Sequence, residues 1–125
     1  MIRMESLKRV LVILLILSGL ASHAQSPIVY TPDMAEKYIG KHVQTLSDPD
    51  RTLSFEQVRQ RPDQFKPHDR EVPNFGVSSA HNWVKFAVTN QADEEDLVLN
   101  LAYPVLDRVI LYMVNHLLLL HIQFA

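Results

Sequence analysis

From Asn82 onward the apolar residues of this chain recur at every second position. Val84, Phe86 and Val88 fall on one side of the alternation, and Lys85 and Thr89 on the other. A period of two marks a half-buried β-strand, because successive side chains of a strand point to opposite faces. The pattern goes on: Leu97, Leu99, Leu101 and Tyr103 alternate with Val98, Asn100 and Ala102. After Pro104, residues 109–114 are apolar on both faces and rich in β-branched side chains, as in a central strand. No connection is long enough for the crossovers of parallel strands, so antiparallel pairing is expected. Residues 90–96, with the four acids Asp93-Glu94-Glu95-Asp96, read as a polar hairpin connection.

Upstream of these strands the signals are helical and short. Thr31-Pro32-Asp33 is a helix start, with Thr31 to cap, Pro32 at the first position and Asp33 near the positive end of the dipole. Gly40 is expected to end that turn in the left-handed conformation. Residues 42–46 read as a short strand, closed by Ser47-Asp48-Pro49-Asp50. Ser54 with Gln57 three residues on is a capping box, and Leu53 and Val58 supply a hydrophobic staple. That helix should stop near Arg61, because Pro62 biases its predecessor away from helix. Phe65 reads as a buried plug, and residues 66–76, with Pro67, Pro73 and Gly76, as loop. Together these patterns predict an all-β fold, an antiparallel β-sandwich with short helical segments near its N-terminus.

The first 24 residues stand apart. Arg3, Lys8 and Arg9 precede an unbroken apolar run over residues 10–17, and Ser22-His23-Ala24 puts small residues at positions −3 and −1 of a cleavage site. The run is shorter than the 20 or so residues of a membrane span and suits a signal peptide cut between Ala24 and Gln25. The competing reading is an uncleaved anchor. Export changes the charge: taking Arg3, Lys8, Arg9 and Glu5 from 12 basic and 14 acidic residues leaves 9 and 13, a net charge of −4. A mildly acidic exported domain lacks the Lys/Arg face that nucleic acid requires. With no cysteine, its stability must come from the core alone.

Catalytic and metal-binding signals are sparse. Ser78 and Ser79 precede His81, but no glycine elbow surrounds either serine. His68, Asp69 and His81 match no dedicated metal spacing. The acidic run 93–96 lacks the glycine and alternating ligands of a calcium loop, and reads as a solvated hairpin tip. Trp83 is the candidate ligand-binding residue, because an aromatic ring on an exposed sheet face can stack on a sugar. It could equally belong to a second core face opposite Val84 and Phe86. No enzyme activity, cofactor or metal is expected.

Several landmarks occur in a familiar order. Leu53-Ser54-Phe55-Glu56-Gln57-Val58 comes before Phe65-Lys66-Pro67, Asn74-Phe75-Gly76 and Trp83-Val84-Lys85-Phe86 with Thr89-Asn90. Leu101-Ala102-Tyr103-Pro104-Val105-Leu106-Asp107-Arg108-Val109, ending in Leu111-Tyr112, completes the series. Over residues 40–115 the chain resembles the second type of extracellular sensor domain of bacterial seven-transmembrane receptors with diverse intracellular signalling modules. The resemblance implies a jelly-roll-like β-sandwich, similar to carbohydrate-binding modules, exported to the periplasm or the outer face of a bacterial membrane. It implies a small-molecule ligand, with carbohydrate as one class, and a seven-helix region followed by an output module. It carries no residue-level binding motif.

Residues 116–125 depart from that pattern. His116-Leu117-Leu118-Leu119-Leu120-His121-Ile122-Gln123-Phe124-Ala125 has no Gly or Asp turn before it, and the domain reads as incomplete. As a membrane span, residues 109–125 are too short and too often interrupted by Asn115, His116, His121 and Gln123. A closing strand over residues 117–120 is a second reading. The preferred expectation is a truncated or frameshifted receptor, with residues 1–24 as signal, 25–39 as lead-in, 40–115 as partial sandwich and 116–125 as an atypical hydrophobic tail. On that reading any contact with a membrane comes through the missing downstream region or an uncleaved signal. A secreted carbohydrate-binding or adhesion module is the alternative function.

Overall fold

The strand β4, His81–Asn90, is the axis of the molecule. In the computed structural model, which describes residues 3–18, 26–34, 38–76, 78–93, 96–103, 105–115 and 117–124, it has neighbours on both edges. In chain order the elements are α1 (Met4–Ser18), β1 (Ile28–Tyr30), β2 (Gln44–Asp48), α2 (Phe55–Arg59), β3 (Lys66–Pro67), β4, β5 (Leu106–Val114) and β6 (Leu117–Phe124). Single 3-10 turns lie at Pro32–Met34, Gly40–His42 and Pro62–Gln64. The described strands join in one sheet, in the order β3-β2-β4-β6-β5, with β1 also on β4. The all-β class expected from the alternation is the class observed; the described strands do not divide into two stacked sheets. Pairing is antiparallel except between β1 and β4, where Ile28 lies beside Val88 in a parallel pair.

The alternation along β4 separates two cores. Val84 and Phe86 join Ile28, Val43, Leu120 and Ile122 on one face. Trp83 joins Leu46, Val58, Phe65 and Leu119 on the other. Leu53, Phe55 and Val58, carried by α2 and its N-terminal lead, cover this second core, as the expected staple requires. The Ser54 hydroxyl accepts from the Gln57 N–H (3.3 Å) while the Gln57 side chain accepts from the Ser54 N–H (2.9 Å). The capping box is therefore complete. Asp48 sets it up: its buried carboxylate accepts from the N–H groups of Thr52 (3.3 Å) and Leu53 (2.9 Å). Between them Arg51 takes a left-handed φ of 58°, closing the turn that delivers α2 over the sheet.

Five expectations change. Residues 116–125 are not an appendage: 117–124 form β6, paired with β4 on one edge and β5 on the other. Leu119 and Leu120 point to opposite faces, and each fills one of the two cores. The turn before β6 is made by Asn115, whose φ of 54° is one that Asn tolerates in two-residue hairpins. Because β6 occupies the central place, β5 is an edge strand rather than a central one. The alternating segment around Leu97, Leu99 and Leu101 forms no strand, since no neighbouring edge among the described residues receives it. Finally, Gly40 does not end a helix in the left-handed region. It is buried beneath residues 70–71, and a Cβ there would overlap the carbonyl oxygens of Arg70 and Glu71. Its N–H donates to the Glu71 carbonyl at 2.9 Å.

The proposed cleavage site after Ala24, together with Glu94, Glu95, Pro104 and His116, lies outside the described residues. In α1 the side chains of Leu7 and residues 10–13 are exposed. No described helix is long and apolar enough to cross a membrane.

If β6 is structural, Leu119→Ala should cost about 2–5 kcal/mol, as for other buried leucines, whereas Leu97→Ala should stay within about 0.5 kcal/mol. Denaturant midpoints of the two variants would check this, and equal values would contradict the placement of β6. Gly40→Ala should cost about 1–3 kcal/mol by the same measurement, because its neighbours are backbone atoms that cannot swing away.

Candidate functional site

The face of the sheet under α2 is not uniformly apolar. Register places Asp48 beside His81, Leu46 beside Trp83, and Trp83 beside His121. One strand further, Ile110 and Arg108 on β5 lie beside His121 and Gln123. Three strands thus bring a carboxylate, two imidazoles and an indole to one end of the face. The Trp83 and His121 rings stack at 4.2 Å with only 6° between their planes. His81 meets His121 edge-on at 4.7 Å. Tyr112 lies 6.0 Å from the indole and is itself stacked on Phe55 at 4.3 Å, which ties the aromatic row to the α2 cover.

Burial gives this cluster its chemical character. Trp83 is 1% exposed and His121 8%. The Trp83 Nε1 and His121 Nε2 atoms are both buried and find no hydrogen-bond partner among the described residues. A buried polar atom left unpaired costs roughly 1–3 kcal/mol, so two in one stacked pair are a concentrated expense within a small domain. Burial first, and then His81, push the His121 pKa down; Asp48 pulls it partly back up, and Arg108 adds a smaller downward push. His121 is therefore held neutral, with one nitrogen free to donate or accept.

Sequence reading singled out Trp83, and the structure places it at the centre of this cluster with no open ring face. The alternative role weighed for it, a second core face opposite Val84 and Phe86, describes its packing. His121 was missed because it lay in the residues read as a tail, and Asp48 because it read as a turn residue. Their register with Trp83 and His81 depends on pairings that one strand alone does not reveal. His68 lies apart from His81, near Phe75 at a ring distance of 6.4 Å, with its Nε2 buried and unpaired among the described residues. Asp69 is exposed. Among the described residues no three His, Asp or Glu side chains are grouped so as to hold a metal ion. Ser78 uses its hydroxyl to accept from the Ala80 N–H at 3.1 Å, a local turn contact leading into β4.

A model of the family described as 7TMR-DISM extracellular 2 matches residues 40–123. The chain belongs to this family, whose domains lie outside the membrane, and an exported location follows for the matched region. Neither the curated proteins nor the solved structures yield a match. The matched stretch begins at Gly40 and ends within β6, so most of what read as an atypical tail lies inside the family pattern.

A neutral, buried His121 gives stability a definite pH dependence. Its folded pKa lies below the ordinary 6.5, so the unfolded chain takes up the proton first as pH falls. The contribution is fully present above pH 6.5 and declines as the pH drops below it. Melting temperatures between pH 8 and 5 should fall on the acid side, and His121→Phe should flatten that part of the curve. An unchanged acid slope in the variant would remove His121 as its source.

Proposed function

We propose that this chain provides the ligand-sensing domain of a bacterial seven-transmembrane signalling receptor. In this reading it acts without enzymatic chemistry and is positioned in the periplasm by an N-terminal signal over residues 1–24. The family match over residues 40–123 carries the proposal. The apolar helix Met4–Ser18 supports the export step, since its exposed side chains have no place in the sheet's cores. Membrane-spanning and output parts would then be supplied outside the matched region.

The proposed ligand is a small polar molecule, with carbohydrates the first class to try. The Asp48, His81 and His121 end of the α2 face is the candidate place for it. His81 is partly exposed and Arg108 exposed, which gives an outer rim, while His121 and Trp83 form the buried floor. A hydroxyl-rich ligand entering there would meet donors and acceptors of both kinds. Trp83 would then contribute through its N–H and its stacking on His121, rather than as an open platform. The floor residues Trp83 and His121 lie on β4 and β6, which are hydrogen-bonded on both edges, so they are held rigidly.

Thermal-shift measurements with panels of mono- and disaccharides, amino acids and organic acids would test this. The expected result is a saturable rise in melting temperature with one class, lost in His81→Ala and reduced in Arg108→Ala. No rise with any class would overturn the small-molecule reading. A rise that survives both substitutions would move the site elsewhere.

A further inference from the structure

β5 is a nine-residue strand with a partner on one edge only: β6 pairs with it, and no described residue pairs with its other edge. Edge strands of this length are commonly blunted by charge, proline or a bulge. Here the bulge comes at the start. Pairing with β6 slips between Leu106 and Arg108, leaving Asp107 as the extra residue, and runs without interruption from Arg108 to Val114. Over those seven residues Arg108 is the one charged side chain. Two large apolar side chains stand out on the same face, Leu111 at 49% exposure and Met113 at 70%. They lie beside Leu120 and Leu118 of β6, on the side of the sheet opposite the Trp83–His121 cluster.

We propose that this edge pairs with the same edge of a second copy of the chain, in an antiparallel arrangement centred on Leu111. The register follows from symmetry. A continuous antiparallel sheet built from two identical edges has its two-fold axis perpendicular to the sheet. Residues directly opposite one another then share a face, so the axis must pass beside a residue rather than between two. Leu111 is the midpoint of the regular stretch Arg108 to Val114. Centring there pairs all seven residues: Leu111 with its own copy, Ile110 with Tyr112, Val109 with Met113, and Arg108 with Val114. Both exposed apolar side chains are thereby covered, Leu111 by its copy and Met113 by Val109.

Charge agrees with this register. Asp107 comes opposite Asn115, and no like charges face each other. Moving the centre three residues toward the N-terminus, to Arg108, would set Arg108 against its own copy, and a centre at Asp107 would do the same for two carboxylates. Centres at other residues leave part of the regular stretch unpaired. An edge of seven residues is small beside the roughly 1,000 Å² of a stable interface, so the dimer is a concentration-dependent one. This association touches the cluster under α2 only at its rim residue Arg108, leaves the Trp83 and His121 floor unused, and is argued from the β5 edge alone.

The chain contains no cysteine, so single cysteines report the register directly. Leu111→Cys should cross-link to a covalent dimer under a mild oxidant, because directly opposed Cβ atoms lie within disulfide reach. Met113→Cys, although more exposed, should not, since its copy lies four residues away along the strand. The double variant Val109→Cys with Met113→Cys should restore cross-linking. In parallel, sedimentation of the full chain should show its average mass rising from one toward two chains with concentration. Leu111→Lys, which opposes two charges at the centre, should hold it at one. Cross-linking that follows exposure, with Met113→Cys ahead of Leu111→Cys, would overturn the register and indicate unspecific association. A single-chain mass at every concentration, with no Leu111→Cys dimer, would overturn the proposal altogether.

Discussion

Everything in this domain depends on β4 having two buried faces at once. Trp83 and Val84 are neighbours in sequence, yet they feed different cores because a strand alternates. A strand in that position needs hydrogen-bonded neighbours on both edges, for a buried backbone cannot leave its N–H and C=O groups unpaired. β2 and β6 satisfy that demand. With no disulfide to hold the fold, loss of either neighbour would expose both cores together. The apolar run of residues 117–120 therefore serves both sides of the sheet, with Leu119 feeding one core and Leu120 the other.

The cover over one core is organised by a single carboxylate. Asp48 ends β2, holds the backbone of Thr52 and Leu53, and so places the capping box one residue later. Phe55 then reaches Tyr112 and Val58 closes over Trp83's core. The same Asp48 faces His81 across the strand pair. One side chain thus links the architecture of the lid to the polar end of the candidate site.

Local signals were the legible ones. The capping box, the staple, the burial of Phe65 and the period of two along β4 each depend on residues within a few positions of one another. Long-range pairing was not legible in the same way. Residues 97–103 alternate as well as β4 does, but alternation records polarity and not the presence of a partner edge. β6 shows the reverse case, because its continuous apolarity hides the period, and its turn rests on Asn115 rather than on Gly or Asp. Gly40 illustrates a third limit: its reason is the carbonyls of residues 70–71, thirty positions away in the chain. For the site, Trp83 was visible as an isolated aromatic. His121 became meaningful only once β6 was laid beside β4.

The two faces of the sheet differ in what they tolerate, and that difference separates the roles proposed for them. On the Val84 side the core cluster is apolar, with buried Asn82 and the His68 Nε2 at its margins, and the apolar side chains left over, Leu111 and Met113, collect at the β5 edge. On the Trp83 side unpaired polar atoms sit in the floor, and the rim carries Arg108 and His81. Apolar surplus at an edge is relieved by another strand, which supplies backbone partners and apolar area together. Polar surplus in a floor is relieved by a ligand or water that brings hydrogen bonds. Because side chains alternate along β5, Arg108 and Tyr112 point away from Leu111 and Met113. A partner strand at the edge would therefore leave the Trp83 and His121 floor uncovered, setting Val114 of the second copy beside the rim residue Arg108.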